Sequence, residues 1–156
     1  MKTYNIISID EFKTNIENNS RLLGIDPGNR NIGFAICDEN KKVATPLVVL
    51  QKSKFGFLVK KINQIIKENH IKGIIIGNPI NMDGTPGKSS QSVSDFAKNL
   101  SKNITIPIAL WDERLSSEGS FKIIKELGTN VSNKMEKLDK NAAAFILQGA
   151  IDYLTK

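Results

Sequence analysis

The sequence predicts an α/β fold on a five-stranded mixed sheet, an antiparallel meander extended by two parallel strands and flanked by helices. Apolar runs at residues 22–25, 32–37 and 43–50 are separated by Pro27-Gly28 and by the polar tetrad Asp38-Glu39-Asn40-Lys41, which gives three consecutive strands joined by short turns. The apolar period then changes from two to about 3.6 and back, twice, as expected of βα crossovers. Between two such helices, residues 73–77 are apolar without interruption, the pattern of a strand covered on both faces.

In order along the chain, Ile9, Phe12 and Ile16 fall at helical spacing behind Ser8, a plausible cap, and Glu17-Asn18-Asn19-Ser20 reads as loop. Residues 1–20 are set apart as an N-terminal appendage and residues 21–156 as the main domain. Pro46 places the third strand at an edge or a bulge, because proline cannot donate to a ladder. Leu58, Ile62, Ile65 and Ile66 share one helical face, with Lys60, Lys61, Gln64, Lys67 and Glu68 opposite, and this helix ends near Asn69-His70. Residues 78–88 form a glycine-rich polar loop, and Val93, Phe96, Ala97 and Leu100 mark a second amphipathic helix. A fifth strand over 106–111 runs into Asp112-Glu113-Arg114. Phe121, Ile124 and Leu127 predict a further helix stopped by Gly128, residues 129–137 a basic loop, and residues 138–154 a last helix. Its Ala142-Ala143-Ala144-Phe145-Ile146-Leu147 core is too apolar for solvent and must lie on the sheet. Right-handed crossovers place the fourth strand beside the first, so the first and fifth strands end on the same side.

With 156 residues the chain has the length of one domain, and its net charge of +6 favours a polyanionic partner. The single cysteine, Cys37, excludes internal disulfides and cysteine-rich zinc sites. His70 is the only histidine and stands at a helix end, which removes most Ser-His-Asp and zinc-hydrolase schemes and suits a surface or capping residue. No run approaches the roughly 20 apolar residues of a membrane span, and no leader pattern is present, so a cytoplasmic location is expected.

The chemistry then rests on carboxylates. Asp26 ends the first strand, and Asp before Pro-Gly is also ordinary turn chemistry. In the fifth strand, alternation sets Ala109, Trp111 and Glu113 on one face and Leu110 and Asp112 on the other, which selects Glu113 as the inward acid. Asp139 lies four residues before Ala143 on the last helix, where helix capping is its plainer role. Three carboxylates brought together would repel one another by several kcal/mol without a counter-charge. Mg²⁺ or Mn²⁺ supplies one, and two such ions about 4 Å apart suit in-line phosphodiester hydrolysis. The 78–88 loop, with Asn81 and Lys88, offers backbone N–H groups to phosphates, or is simply a structural loop with an Asp83-Gly84 turn. Arg30, Lys88, Arg114, Lys134 and Lys137 are the cations expected to bind the polyanion, although each alone suits a solvated surface equally.

Gly24-Ile25-Asp26-Pro27-Gly28, the Gly77-Asn78-Pro79-Ile80-Asn81-Met82-Asp83-Gly84 loop, Trp111-Asp112-Glu113-Arg114-Leu115, and Asp139-Lys140-Asn141-Ala142-Ala143 with Ile146-Leu147-Gln148 together resemble the YqgF family, also called RuvX. Its members are described both as Holliday junction resolvases and as pre-16S ribosomal RNA nucleases. The resemblance spans about residues 21–154. It implies an RNase H-like fold, cytoplasmic location and Mg²⁺- or Mn²⁺-dependent nuclease chemistry, a hydrolase acting in rRNA processing and ribosome biogenesis. Asp26, Glu113 and Asp139 match the family's acids. Ser116-Ser117 replaces a more familiar pair of threonines, and Asn78 stands where the wider superfamily often carries an acid.

The leading expectation is a nuclease on structured RNA, monomeric or homodimeric, with Asp26, Glu113 and Asp139 as catalytic metal ligands. Alternatives are a dimeric resolvase of four-way DNA, whose two-fold axis suits symmetric cuts, and a non-catalytic nucleic-acid binder in transcription or ribosome assembly. A sugar-kinase or actin-like ATPase shares Asp-x-Gly turns, but needs two such domains where this chain has length for one.

Overall fold

The computed structural model describes residues 5–28, 30–79, 83–85, 87, 90–115 and 131–156, the side chains of residues 115 and 131–140 excepted. Six strands form one mixed sheet: β1 (Ile6–Ile7), β2 (Arg21–Pro27), β3 (Asn31–Cys37), β4 (Ala44–Gln51), β5 (Ile71–Asn78) and β6 (Ile108–Asp112), in the order β1-β6-β5-β2-β3-β4. The described helices are α1 (Ile9–Asn15), α2 (Phe55–Asn69), α3 (Ser90–Ser101) and α4 (Val131–Leu154).

The hairpins follow from local chemistry. At the β2–β3 turn, Gly28 donates to the Asp26 carbonyl (3.0 Å), and a methyl group on Gly28 would stand 2.5 Å from the Asn31 carbonyl oxygen, so only glycine lets the chain double back here. At the β3–β4 turn the Asp38 carboxylate accepts from the N–H groups of Asn40, Lys42 and Val43, which holds its pKa below the usual aspartate value. β4 is an edge strand, and its pairing with β3 shifts register beside Pro46. α2 ends on His70 in the left-handed conformation (φ 53°), whose N–H donates to Ile66; the histidine is exposed, a capping residue as expected.

β5 lies parallel to both β2 and β6, as right-handed crossovers require. β2, β5 and β6 therefore end together at one edge of the sheet. One face carries Leu23, Ile25, Phe34, Ile74, Ile76 and Ile108, covered by Leu58 and Ile62 of α2 and Val93, Ala97 and Leu100 of α3. The other carries Leu22, Ala35, Ile75, Ala109 and Trp111, covered by Phe12 of α1 and by Ala143, Ile146, Leu147, Ala150 and Ile151 of α4.

Two features differ from expectation. The sheet has six strands rather than five, because Ile6–Ile7 pairs in parallel with Ile108 and Ala109 of β6; two residues are too few to show an alternation. The segment before Arg21 thus adds an edge strand and, through fully buried Phe12, a core side chain. The basic loop expected over 129–137 is helical from Val131 onward: a stretch without an apolar face continues a helix whose later turns are anchored on the sheet. The helix expected around Phe121, Ile124 and Leu127, with its stop at Gly128, lies outside the described residues.

Candidate active site

Asp26 is the sixth residue of β2, on the α4 face with Leu22 and Gly24, half-buried where the strand meets its turn. Glu113 follows β6 directly and opens a single 3₁₀ turn, Glu113–Leu115. Its carboxylate reaches back over β5, with Oε1 2.9 Å from where a methyl group on Gly77 would stand. Gly77 is the β5 residue beside Asp26, since β2 and β5 pair through Ile25 and Ile76. Two acids remote in sequence thus meet across a glycine.

Their electrostatics carry the mark of that meeting. Burial pushes the Glu113 carboxyl above the ordinary glutamate value, and the negative charges of Asp26 and then Asp112 push it further. Asp112 shifts the opposite way. Arg114 binds it through Nε (3.1 Å to each carboxylate oxygen) and Nη2 (2.7 Å), and the Arg114 N–H donates to it as well (3.0 Å), which holds it ionised. Of two adjacent acids, one is neutralised by its own arginine and the other is left facing Asp26.

The backbone of α4 is set against the same strands. The Ala143 carbonyl oxygen lies 3.0 Å, and the Leu147 Cβ 2.7 Å, from where a methyl group on Gly24 would stand. Further along, Gln148 accepts from the Ala44 N–H (2.9 Å) and donates to the Lys42 carbonyl (2.9 Å), at the opposite edge of the sheet from Asp26. The N-terminal part of α4 therefore runs toward the acid end, and α4 also approaches the Glu113 turn. Asp139 lies one helical turn before Ala143 and well inside the helix, which removes helix capping as its role; its side chain is outside the described residues. Among the described residues no three His, Cys, Asp or Glu side chains gather into a set able to hold a metal ion.

The remaining expected residues divide. Arg30 is exposed at the β2–β3 turn, and its carbonyl accepts from the Lys52 N–H (2.7 Å). Arg114 is engaged by Asp112. Asn81 and Lys88 lie outside the described residues, and Lys134 and Lys137 are described only as backbone of α4. The motif reading gave no role to the Asp112–Arg114 pair or to the bond from Ser90 Oγ to Asn78 Oδ1 (3.1 Å), which ties the base of the 78–90 loop. A charged triplet after a strand was the available signal for the first.

Known proteins resemble this chain in sequence and in fold. The family model described as "RuvX: Holliday junction resolvase" matches residues 20–153. A Pelagibacter ubique protein named "Putative pre-16S rRNA nuclease" is 50% identical over 96% of this chain and 99% of its own length. A Ruegeria pomeroyi protein of the same name is 40% identical over 94% of this chain and 96% of its own. Among solved structures, Thermus thermophilus RuvC in complex with a Holliday junction substrate superposes with a TM-score of 0.52 at 11% identity, covering 86% of this chain and 94% of that one. The yeast mitochondrial Holliday junction resolvase Ydc2 superposes at 0.51 and 10% identity, covering 94% and 84%. At such identities the likeness is one of fold, and the fold is RNase H-like.

Proposed function

Because the chain belongs to the RuvX (YqgF) family of Holliday junction resolvases, we propose that it is a metal-dependent nuclease that hydrolyses phosphodiester bonds and matures the 5′ end of pre-16S ribosomal RNA. The observation that carries this reading is the Glu113 carboxylate, drawn into partial burial beside Asp26 at the shared end of β2 and β6. Two carboxylates so placed are hard oxygen donors of the kind that Mg²⁺ or Mn²⁺ prefers. Asp26 and Glu113, with Asp139 carried in by α4, would hold the ions. A bound pair of such cations activates water and stabilises the leaving oxygen of an in-line displacement.

The protein's own contributions are steric and electrostatic. Gly77 leaves room for Glu113, and the Asp112–Arg114 pair removes a second acid from competition. Arg30, Lys88, Lys134 and Lys137 are cations suited to RNA phosphates, in keeping with the net charge of +6. Among the described residues no helix is long and apolar enough to cross a membrane, which suits work on cytoplasmic RNA. The curated relatives' names favour ribosomal RNA; the family's description favours a Holliday junction.

Side-by-side assays on a pre-16S RNA fragment and a synthetic four-way junction, each with and without Mg²⁺, test the reading. RNA cleavage is expected with Mg²⁺, falling at least about 10³-fold in Asp26→Asn, or roughly 4 kcal/mol of transition-state stabilisation. Cleavage unchanged in Asp26→Asn removes the mechanism, and cleavage of the junction alone transfers it to DNA.

A further inference from the structure

The Asp112–Arg114 pair does more than silence an acid. Nε and Nη2 of the guanidinium are bound to Asp112, while Nη1 stands 3.6 Å from where a methyl group on Gly84 would lie. Gly84 has φ +91°, the left-handed region, at the centre of a small turn. In that turn the Asp83 carboxylate accepts from the Thr85 hydroxyl (2.6 Å) and N–H (2.9 Å), and the nearby Arg114 charge adds a smaller attraction. The loop is also fastened at its base, where Ser90 binds Asn78 and the Gly87 N–H donates to the Pro79 carbonyl (3.0 Å). The guanidinium thus lies close to this turn while it is bound at the Glu113 turn.

We infer that Asp112 and Arg114 form a clamp that positions the turn at 83–85 beside Glu113, and that Arg114 acts on the substrate through this loop instead of binding phosphate itself. The chemistry favours this assignment. A guanidinium already held in a planar fork by a carboxylate has most of its charge answered, and its fork geometry is what a lysine cannot reproduce. In this arrangement the turn at 83–85 lies against the bound substrate, and the clamp sets its distance from the acids. Arg114 is therefore a positioning residue. The kinetic part of this inference rests on the nuclease reading; the loop part does not.

The two roles for Arg114 predict opposite signs for one substitution. If Arg114 bound phosphate, Asp112→Asn would free the guanidinium and remove a repelling charge, lowering KM. A clamp predicts the reverse: Asp112→Asn and Arg114→Gln each raise KM about tenfold with kcat changed less than about twofold, and Arg114→Lys, though it keeps the charge, fails to restore KM. Hydrogen exchange on the metal-free, RNA-free protein gives a readout independent of catalysis. In Asp112→Asn and Arg114→Gln, the Thr85 and Gly87 amides are expected to exchange about tenfold faster, while β5 and β6 amides keep their protection. A lowered or unchanged KM in Asp112→Asn, recovery in Arg114→Lys, or unaltered exchange at Thr85 overturns the clamp. Loss of protection across β5 and β6 as well overturns it too, by making the pair a support of the fold. Absence of cleavage in the wild type would remove the nuclease reading and leave the exchange test standing.

Discussion

On the α2/α3 face, Leu58, Ile62, Val93 and Leu100 cluster with Leu23, Ile25, Ile74 and Ile76 through full-sized side chains, whereas on the α4 face Gly24 and Gly77 leave space that Leu147, Ala143 and Ile146 enter. Both faces exclude water. They differ in what sets the distance between layers: on the first, interdigitating side chains that can repack, and on the second, a helix backbone held against a strand backbone, which cannot. The carboxylates sit on the second face. A site that needs its acids fixed to fractions of an ångström is built where small residues leave the least freedom.

The largest way to break that comparison is Gly24→Ala. The added methyl group meets the Leu147 Cβ at 2.7 Å and the Ala143 carbonyl oxygen at 3.0 Å, atoms that move only with α4 itself. A loss of about 2–3 kcal/mol is expected, together with strongly reduced cleavage, because the helix bearing Asp139 must lift. Thermal unfolding and kcat measured on the same preparation check both. A loss below about 0.5 kcal/mol would mean that α4 is not held backbone to backbone.

Gly77→Ala separates function from stability on the same face. Its methyl group would meet Ile146 Cδ1 at 2.5 Å and Glu113 Oε1 at 2.9 Å, both ends of flexible side chains that can yield without moving a helix. The fold is expected to lose less than about 1 kcal/mol, while displacement of the Glu113 carboxylate lowers kcat about tenfold, some 1.4 kcal/mol. Ile62→Val is the counterpart on the opposite face. Removing one methylene from a fully buried side chain costs about 1 kcal/mol in stability, with kcat unchanged within twofold. A kcat that followed stability in both variants would erase the distinction between the faces.

The same contrast explains what could be read from the sequence. The β2–β3 and β3–β4 hairpins, α2, and the burial of β5 on both faces were legible because turn chemistry and periodicity are local. Glu113 was separable from Asp112 by strand parity alone, and the structure turns Glu113 to Gly77 and Asp112 to Arg114. β1 was not legible, because two isoleucines become a strand only through partners about a hundred residues away. Nor was the true start of α4: residues 131–137 present no apolar face and are helical as the continuation of a helix anchored further on. The expectation that Asp139 opens a helix failed with it, and the carboxylate lost its plainer explanation. The pairing of Arg114 with Asp112 was not legible, because an ion pair two residues apart requires the turn after β6, which no pattern announces.

The smallest effect concerns the cost of keeping Glu113 where it is. Burial, then repulsion from Asp26 and Asp112, places its folded pKa above that of the unfolded chain, so the folded state binds more protons over the interval between the two values. Below the ordinary glutamate value of about 4.3, the carboxyl is neutral in both states and the penalty is absent. As pH rises through the folded value, the ionised group is disfavoured in the fold and wild-type stability falls relative to a neutral side chain. Glu113→Gln is therefore expected to melt within error of wild type at pH 4 and a degree or two higher at pH 7.5 in the metal-free protein. Added Mg²⁺ should reverse the order by stabilising the wild type alone, since only there is the carboxylate present to bind it. A variant melting lower than wild type at pH 7.5 without metal would mean that Glu113 supports the fold, and its approach to Asp26 would then need another cause.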